Sequence, residues 1–138
     1  MNKVKFQNRF LEIPHKSDAA ILVCGSSLPD LFKNAVDGMY HIMGMVCGDS
    51  AIGKESVQLK ASDYEELLVR YLTELLYWSE LNIIAIPDEI QISDCQLIST
   101  ITKKPLSQKS VGIKAVTYSE LKIIQKKNSF HTKIVFDL

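Results

Sequence analysis

Pro14-His15-Lys16-Ser17-Asp18-Ala19-Ala20-Ile21-Leu22-Val23 sets a carboxylate directly in front of an unbroken apolar run. Five consecutive apolar residues bounded by polar ones read as a buried strand. An acid at the mouth of such a strand needs a cation, a cluster of donors or solvent, because an ionised carboxylate buried without partners is strongly unfavourable. The far end of the chain carries a matching feature. Lys133-Ile134-Val135-Phe136 reads as a strand and runs into Asp137 and Leu138, so a second acid stands beside a terminal carboxylate. The expectation is that these two segments meet.

Working outward from Val23, Cys24-Gly25-Ser26-Ser27 turns the chain and offers Ser27 as a helix N-cap, with Pro29 suited to a first helical turn. Leu28, Leu31, Phe32, Ala35, Val36, Met39, Tyr40, Ile42 and Met43 then recur on one face of a 3.6-residue period, and Gly44 and Gly48 bracket the end of the helix. Before the opening stretch, Lys5 to Ile13 reads as a strand. After it, Asp49 to Gly53 is a loop and Ser56 to Ala61 alternates as a half-buried strand. Ser62 and Glu65 have the spacing of a capping box, which predicts a second helix to about Leu81 carrying Tyr64, Leu67, Leu68, Tyr71, Leu72, Leu75 and Leu76 on one side.

Beyond Asn82 the pattern changes to strands: Ile83 to Ile86, Glu89 to Ser93, Gln96 to Thr102, Val111 to Tyr118, Leu121 to Gln125 and Phe130 to Phe136, with Pro87, Pro105 and the lysine-rich pairs as breaks. The order β-β-α-β-α followed by strands predicts an α+β domain, two helices on one face of a largely antiparallel sheet. A length of 138 residues fits one domain spanning 1–138. No apolar run reaches the roughly 20 residues that cross a bilayer, and the first residues lack a signal-peptide segment, so a cytoplasmic protein is expected. Cys24, Cys47 and Cys95 are odd in number and widely spaced, as suits reduced thiols.

The formal net charge of zero hides an asymmetry: residues 1–100 hold 8 Lys or Arg against 14 Asp or Glu, and residues 101–138 hold 8 against 2. Such a basic third can attract RNA or an acidic partner, although most such lysines simply face water. Gly48 to Glu55 has the glycine and lysine spacing of a phosphate-binding loop. Glu55, however, stands where Mg²⁺ binding needs Ser or Thr, and the loop joins a helix to a strand. The cysteines and histidines lack the close pairs of a structural zinc site. Cys24 precedes a helix N-terminus, where a thiol can be activated, but a free cysteine in apolar surroundings is more often a core residue. Asp18 and Asp137 remain: with a terminal carboxylate they form an oxygen donor set for a hard divalent cation such as Ca²⁺ or Mg²⁺. Taken by themselves, they read more readily as two unrelated surface acids at strand ends, since exposed carboxylates are mostly solvated.

Several blocks, in order along nearly the whole chain, resemble the archease family. These are His15-Lys16-Ser17-Asp18 (H-T-A-D in the family), Gly25 to Met43 with G-x-x-L-x-x-L-F-x-N-A-x-x-G-M, Asp63 to Tyr77 with D-x-x-x-L-L-x-x-x-L-x-E-L-L-Y, Ile113-Lys114-Ala115-Val116-Thr117-Tyr118, and Ile134-Val135-Phe136-Asp137-Leu138. The resemblance implies a non-enzymatic activator of an RtcB-type RNA ligase, which uses GTP and Mn²⁺ to join a 2′,3′-cyclic phosphate or 3′-phosphate end to a 5′-hydroxyl. Such an activator promotes guanylylation of the ligase and multiple turnover in tRNA splicing or RNA repair. It also implies a divalent metal on Asp18, Asp137 and Leu138, with His15 and Lys114 as further functional residues. Lys16 and Ser17 replace the family's Thr-Ala, setting a cation two residues from a ligand, and Ser119 replaces a histidine. The alternatives are a small metal-dependent phosphoester hydrolase built on the two aspartates, and a general chaperone or RNA-binding module using the basic third.

Overall fold

The computed structural model describes residues 9–14 and 18–138. In chain order the elements are β1 (Phe10–Ile13), β2 (Ala19–Gly25), α1 (Leu28–Met43), β3 (Val46–Cys47), β4 (Gly53–Lys60), α2 (Tyr64–Glu80), β5 (Ile83–Ser93), β6 (Gln96–Gln108), β7 (Ala115–Val116), β8 (Ile124–Lys126) and β9 (Ser129–Asp137). The expected α+β class is what the chain adopts. Every strand pairing among the described residues is antiparallel, but the strands sort into two sheets. One runs β1-β2-β9-β7 with β8 also on β9, and the other runs β3-β6-β4 with β5 on the other flank of β6. Each helix touches strands of both sheets: α1 lies on β2, β1 and β5, and α2 on β5, β4 and β7. Alternation shows which face of a strand is buried, but says nothing about where one sheet stops.

α1 begins where the sequence places it. Ser27 is the N-cap, its Oγ accepting from the Asp30 amide at 3.2 Å, and the Asp30 carboxylate accepts from the Ser26 amide at 2.8 Å. Gly44 ends the helix with φ 60°, a left-handed conformation that glycine adopts at no steric cost. The orphan carbonyl of Met43 accepts from the amides of Ser110 and Val111, which is why Val111 is a helix cap and not the start of a strand. α2 begins one residue later than the spacing of Ser62 and Glu65 predicts. Asp63 is the N-cap and accepts from the Glu66 amide at 2.7 Å, while Glu66 reaches back to the Ser62 amide at 2.7 Å. The box is therefore Asp63 with Glu66, and Glu65 instead accepts from the Ile123 amide.

Two prolines expected to break strands lie inside them. Pro87 sits at a register shift in β5, and the ladder to β6 resumes at Glu89, so Ile83–Ser93 is one bulged strand. Pro105 lies within β6 opposite Ile83 and its carbonyl accepts from the Gly48 amide at 2.9 Å. β7 is shorter than the Val111–Tyr118 expected, because one edge of β9 is shared between β7 at its C-terminal end and β8 at its N-terminal end. Of the expected Lys5–Ile13 strand, only Phe10–Ile13 falls in a described element, and residues 5–8 lie outside the described residues.

The core fills the space around both helices. Leu31, Phe32, Ala35, Val36, Met39 and Met43 of α1 meet Leu67, Leu68, Tyr71, Leu72, Leu75 and Leu76 of α2, with Ile21, Val23, Ile134, Phe136, Leu97 and Ile101 from the sheets. Each large side chain removed from water contributes about 1.5–3 kcal/mol. Phe32 and Tyr71 stack at a tilt with centroids 6.3 Å apart, and the Tyr71 hydroxyl is bonded to Ser99 Oγ at 2.7 Å. That bond lets a phenol sit inside the core without an unsatisfied polar group.

Candidate functional site

The ladder between β2 and β9 ends with Ala19 opposite Phe136, preceded by Ala20 opposite Val135. One residue beyond the last rung stand Asp18 on one strand and Asp137 on the other. Continuing the register by one residue sets Asp18 across from Asp137 at the same end of the sheet. The two ends that the sequence was expected to bring together are therefore adjacent. Asp18 is half-buried and Asp137 is exposed. Leu138 follows Asp137 directly and is 38% exposed.

β7 closes the same corner from the other side. Ala115 pairs with Asp137, and the Lys114 amide donates to the Asp137 carbonyl at 2.7 Å. Thr117 then binds the Val135 carbonyl twice, through its amide and its Oγ, each at 3.0 Å. Asp137 is thus tied to β7 just past the end of the β2 ladder, and Lys114 is carried to within one residue of it with its side chain exposed. His15, like Lys16 and Ser17, lies outside the described residues.

The donors at this corner are all oxygens: two carboxylates and the oxygens of Leu138. That set suits Ca²⁺ or Mg²⁺ and is poorly matched to soft metals. Among the described residues no three His, Cys, Asp or Glu side chains gather around one point. A cation held here would draw on Leu138 oxygens and water to complete its shell.

Two lysines of the basic third are engaged within the fold. Lys103 pairs with Glu55 at 3.1 Å and lies 5.0 Å over the Trp78 ring, and Lys133 pairs with Glu120 at 2.8 Å. Cys24 is partly buried, and burial followed by the nearby Asp30 charge pushes its thiol pKa up, as expected of an inert thiol. One polar residue of the quoted G-x-x-L-x-x-L-F-x-N-A pattern had no role assigned to it from the sequence. Asn34, buried in α1, donates through Nδ2 to the Cys24 carbonyl at 2.8 Å and ties the C-terminal end of β2 to the helix. An asparagine inside an apolar helical face is the signal that could have found it.

Comparison with known proteins agrees with this architecture. The model of the Archease protein family matches residues 10–138. The chain belongs to the archease family. This archease-family chain is 30% identical over 139 aligned positions to Protein archease of Methanosarcina acetivorans, and 28% over 141 to that of Methanosarcina barkeri. In each case the match covers 91% of this chain and 93% of the relative. Among solved structures it resembles an archease from Thermotoga maritima, described as a possible chaperone, with TM-score 0.70 and 22% identity, covering 91% of this chain and 94% of the other. It also resembles a Methanobacterium thermoautotrophicum protein with TM-score 0.71 and 24% identity, covering 96% and 100%. These two share the fold. Among the described residues no helix is long and apolar enough to cross a membrane, which says nothing of strands.

The family pattern acquires physical meaning on this fold. Gly25 is where β2 meets α1, and a methyl group there would stand 2.3 Å from the Leu31 amide nitrogen. Gly38 faces Ile21 and Phe10, letting α1 lie close on β2 and β1. Asn34 joins the same two elements, so the conserved-looking spacing of the motif is that of one helix-to-strand junction.

Proposed function

We propose that this chain is an accessory protein of an RtcB-type RNA ligase, promoting guanylylation of the ligase and so its multiple turnover in tRNA splicing or RNA repair in the cytoplasm. The reading is supported by family membership over residues 10–138 together with the adjacency of Asp18 and Asp137 beyond the last β2–β9 rung. In this reading the joining chemistry belongs to the ligase, and this chain acts by binding one state of it better than the competing state, since equal affinity shifts nothing.

Asp18, Asp137 and Leu138 would hold a hard divalent cation, Ca²⁺ or Mg²⁺. When bound, the cation supplies positive charge that favours ordered phosphates. The chain's own part is to present the two carboxylates at one end of the sheet, with Asp137 one residue beyond the last β2 rung and tied to β7 through Ala115 and the Lys114 amide. Lys114 and His15 are assigned as contacts to the partner or its nucleotide.

The test is RNA joining by the same organism's RtcB-type ligase under multiple turnover, with GTP and Mn²⁺, with and without substoichiometric amounts of this chain. A large rise in turnover is expected, lost in Asp18→Ala and Asp137→Ala variants that remain folded. Unchanged activation by Asp18→Ala would remove the carboxylate corner from the mechanism. No rise with the unaltered chain would overturn the activator reading itself.

A further inference from the structure

A groove of about 370 Å³ runs along α2, lined by Leu59, Val69, Arg70, Thr73, Glu74, Tyr77 and Tyr118. Residues 70, 73, 74 and 77 follow helical spacing, so one stripe of α2 forms its floor, while Leu59 and Tyr118 bring β4 and the segment after β7 to its walls. Two large aromatic side chains stand in water here: Tyr77 is 53% exposed and Tyr118 56%. Exposed tyrosines in a concave apolar setting mark contact sites more often than accidents of the surface.

Charge decides what the groove fits. Arg70 is already directed to Glu66, 3.6 Å away on the preceding turn, and Glu66 also binds Ser62. Glu74 has no ion pair or hydrogen bond among the described residues. α2 as a whole carries four glutamates against one arginine. Of the groove's two charged lining residues, Arg70 is paired with Glu66, which leaves the Glu74 carboxylate as the charge a ligand would meet. Tyrosine faces attract a guanidinium or ammonium through the ring quadrupole, and a carboxylate beside them adds direct charge.

We propose that this groove is a docking site for a basic segment of a partner protein, an arginine or lysine side chain seating against Tyr77 and Tyr118 with its charge on Glu74. The groove shares no lining residue with the carboxylate corner, and the proposal is independent of whether the chain activates a ligase. Leu59 and Val69 supply the apolar surface for the stem of such a side chain.

The test is NMR titration of the full chain with a hexa-arginine peptide and, separately, with hexa-uridylate RNA. Hexa-arginine is expected to shift the resonances of Glu74, Tyr77 and Tyr118, and Glu74→Gln, Tyr77→Ala and Tyr118→Ala should each weaken it by about threefold or more, the scale of an exposed cation–π or charge contact. These side chains are exposed or half-exposed, so the variants should keep the wild-type melting temperature, which is measured alongside. Shifts at the groove with the RNA alone would make it a nucleobase site and overturn the proposal. Peptide binding unaffected by all three variants, or no shift with either probe, would overturn it as well.

Discussion

The backbone amide of Lys114 donates to the carbonyl of Asp137 at 2.7 Å, the last tie between β7 and β9 before the chain reaches Leu138. Lys114 therefore has two separable parts, an amide that fixes Asp137 and an exposed side chain. Lys114→Ala keeps the amide and is expected to leave stability within about 0.5 kcal/mol while lowering ligase activation. Lys114→Pro removes the donor and is expected to cost about 1 kcal/mol or more and to disturb any property that depends on Asp137. Chemical denaturation of both variants beside the turnover assay separates the two parts. Unchanged activation by Lys114→Ala would show that the side chain has no role of its own, and equal effects of the two substitutions would show that the amide adds nothing to it.

Asp18 and Asp137 should act as one unit toward a divalent cation. A ligand that binds only the folded state stabilises it by about 2.7 kcal/mol at a hundredfold excess over Kd. Raising Ca²⁺ from chelated to millimolar is thus expected to increase the melting temperature of the unaltered chain. Asp18→Asn and Asp137→Asn should each abolish most of that rise, with the double variant no worse than either single one. A Ca²⁺ response that survives both substitutions would place the cation elsewhere.

Glu66 provides a pH prediction. The Ser62 amide and hydroxyl, bonded at 2.7 and 3.0 Å, hold its carboxyl below the ordinary value of 4.5, with a smaller push from Arg70. A carboxyl whose folded pKa is depressed contributes stability that is present above 4.5 and is lost as pH falls through the lower folded value. The unaltered chain should therefore lose stability through this window more steeply than Glu66→Gln, which cannot titrate. Denaturation midpoints between pH 6 and the acid limit, written as a difference between the two proteins, read this directly; parallel curves would remove the capping contact from the acid response. The contact is exposed, so salt should shrink the difference.

The sequence carried both helices because each combines a 3.6-residue apolar face with a start signal, Ser27 for α1 and the acidic Asp63–Glu66 turn for α2. The expected N-cap was Ser62 with Glu65, but Asp63 stands at the same spacing before Glu66, and the structure selects Asp63. Strand ends were harder to read. Pro87 and Pro105 are locally strand-breaking, yet a bulge accommodates the first, and the second still accepts a bond from Gly48 through its carbonyl. Which strands share a sheet depends on contacts between residues as distant as Ala19 and Phe136, and periodicity carries no such information. The Asp18/Asp137 corner was legible only because each acid follows or precedes an apolar strand. The groove at Tyr77 and Tyr118 was not, because its walls come from β4, α2 and the segment after β7 and only the fold brings them together.

Two glycines of the shared pattern should respond very differently to a single methyl group. At Gly25 an added Cβ would stand 2.3 Å from the Leu31 nitrogen, 2.6 Å from its Cα and 2.8 Å from the Asp30 carbonyl carbon, all backbone of α1. Nothing there can rotate aside, so the helix itself must shift, at the expense of the Asn34 bond to Cys24 and the packing of Leu31 and Phe32 on β2. At Gly38 the nearest atom, 2.6 Å away, is the Cδ1 tip of Ile21, and the next is the Phe10 ring at 3.2 Å. A rotamer change can move the first. Gly38 also lies in mid-helix, where alanine gains up to about 1 kcal/mol in propensity. Gly25→Ala is expected to cost about 3 kcal/mol or more, at or beyond the upper end of ordinary overpacking, and Gly38→Ala less than about 2 kcal/mol, in urea denaturation at neutral pH. Equal losses would mean that α1 slides freely on β2, and that the close approach at Gly25 does not fix the helix against the strand that ends beside Asp137.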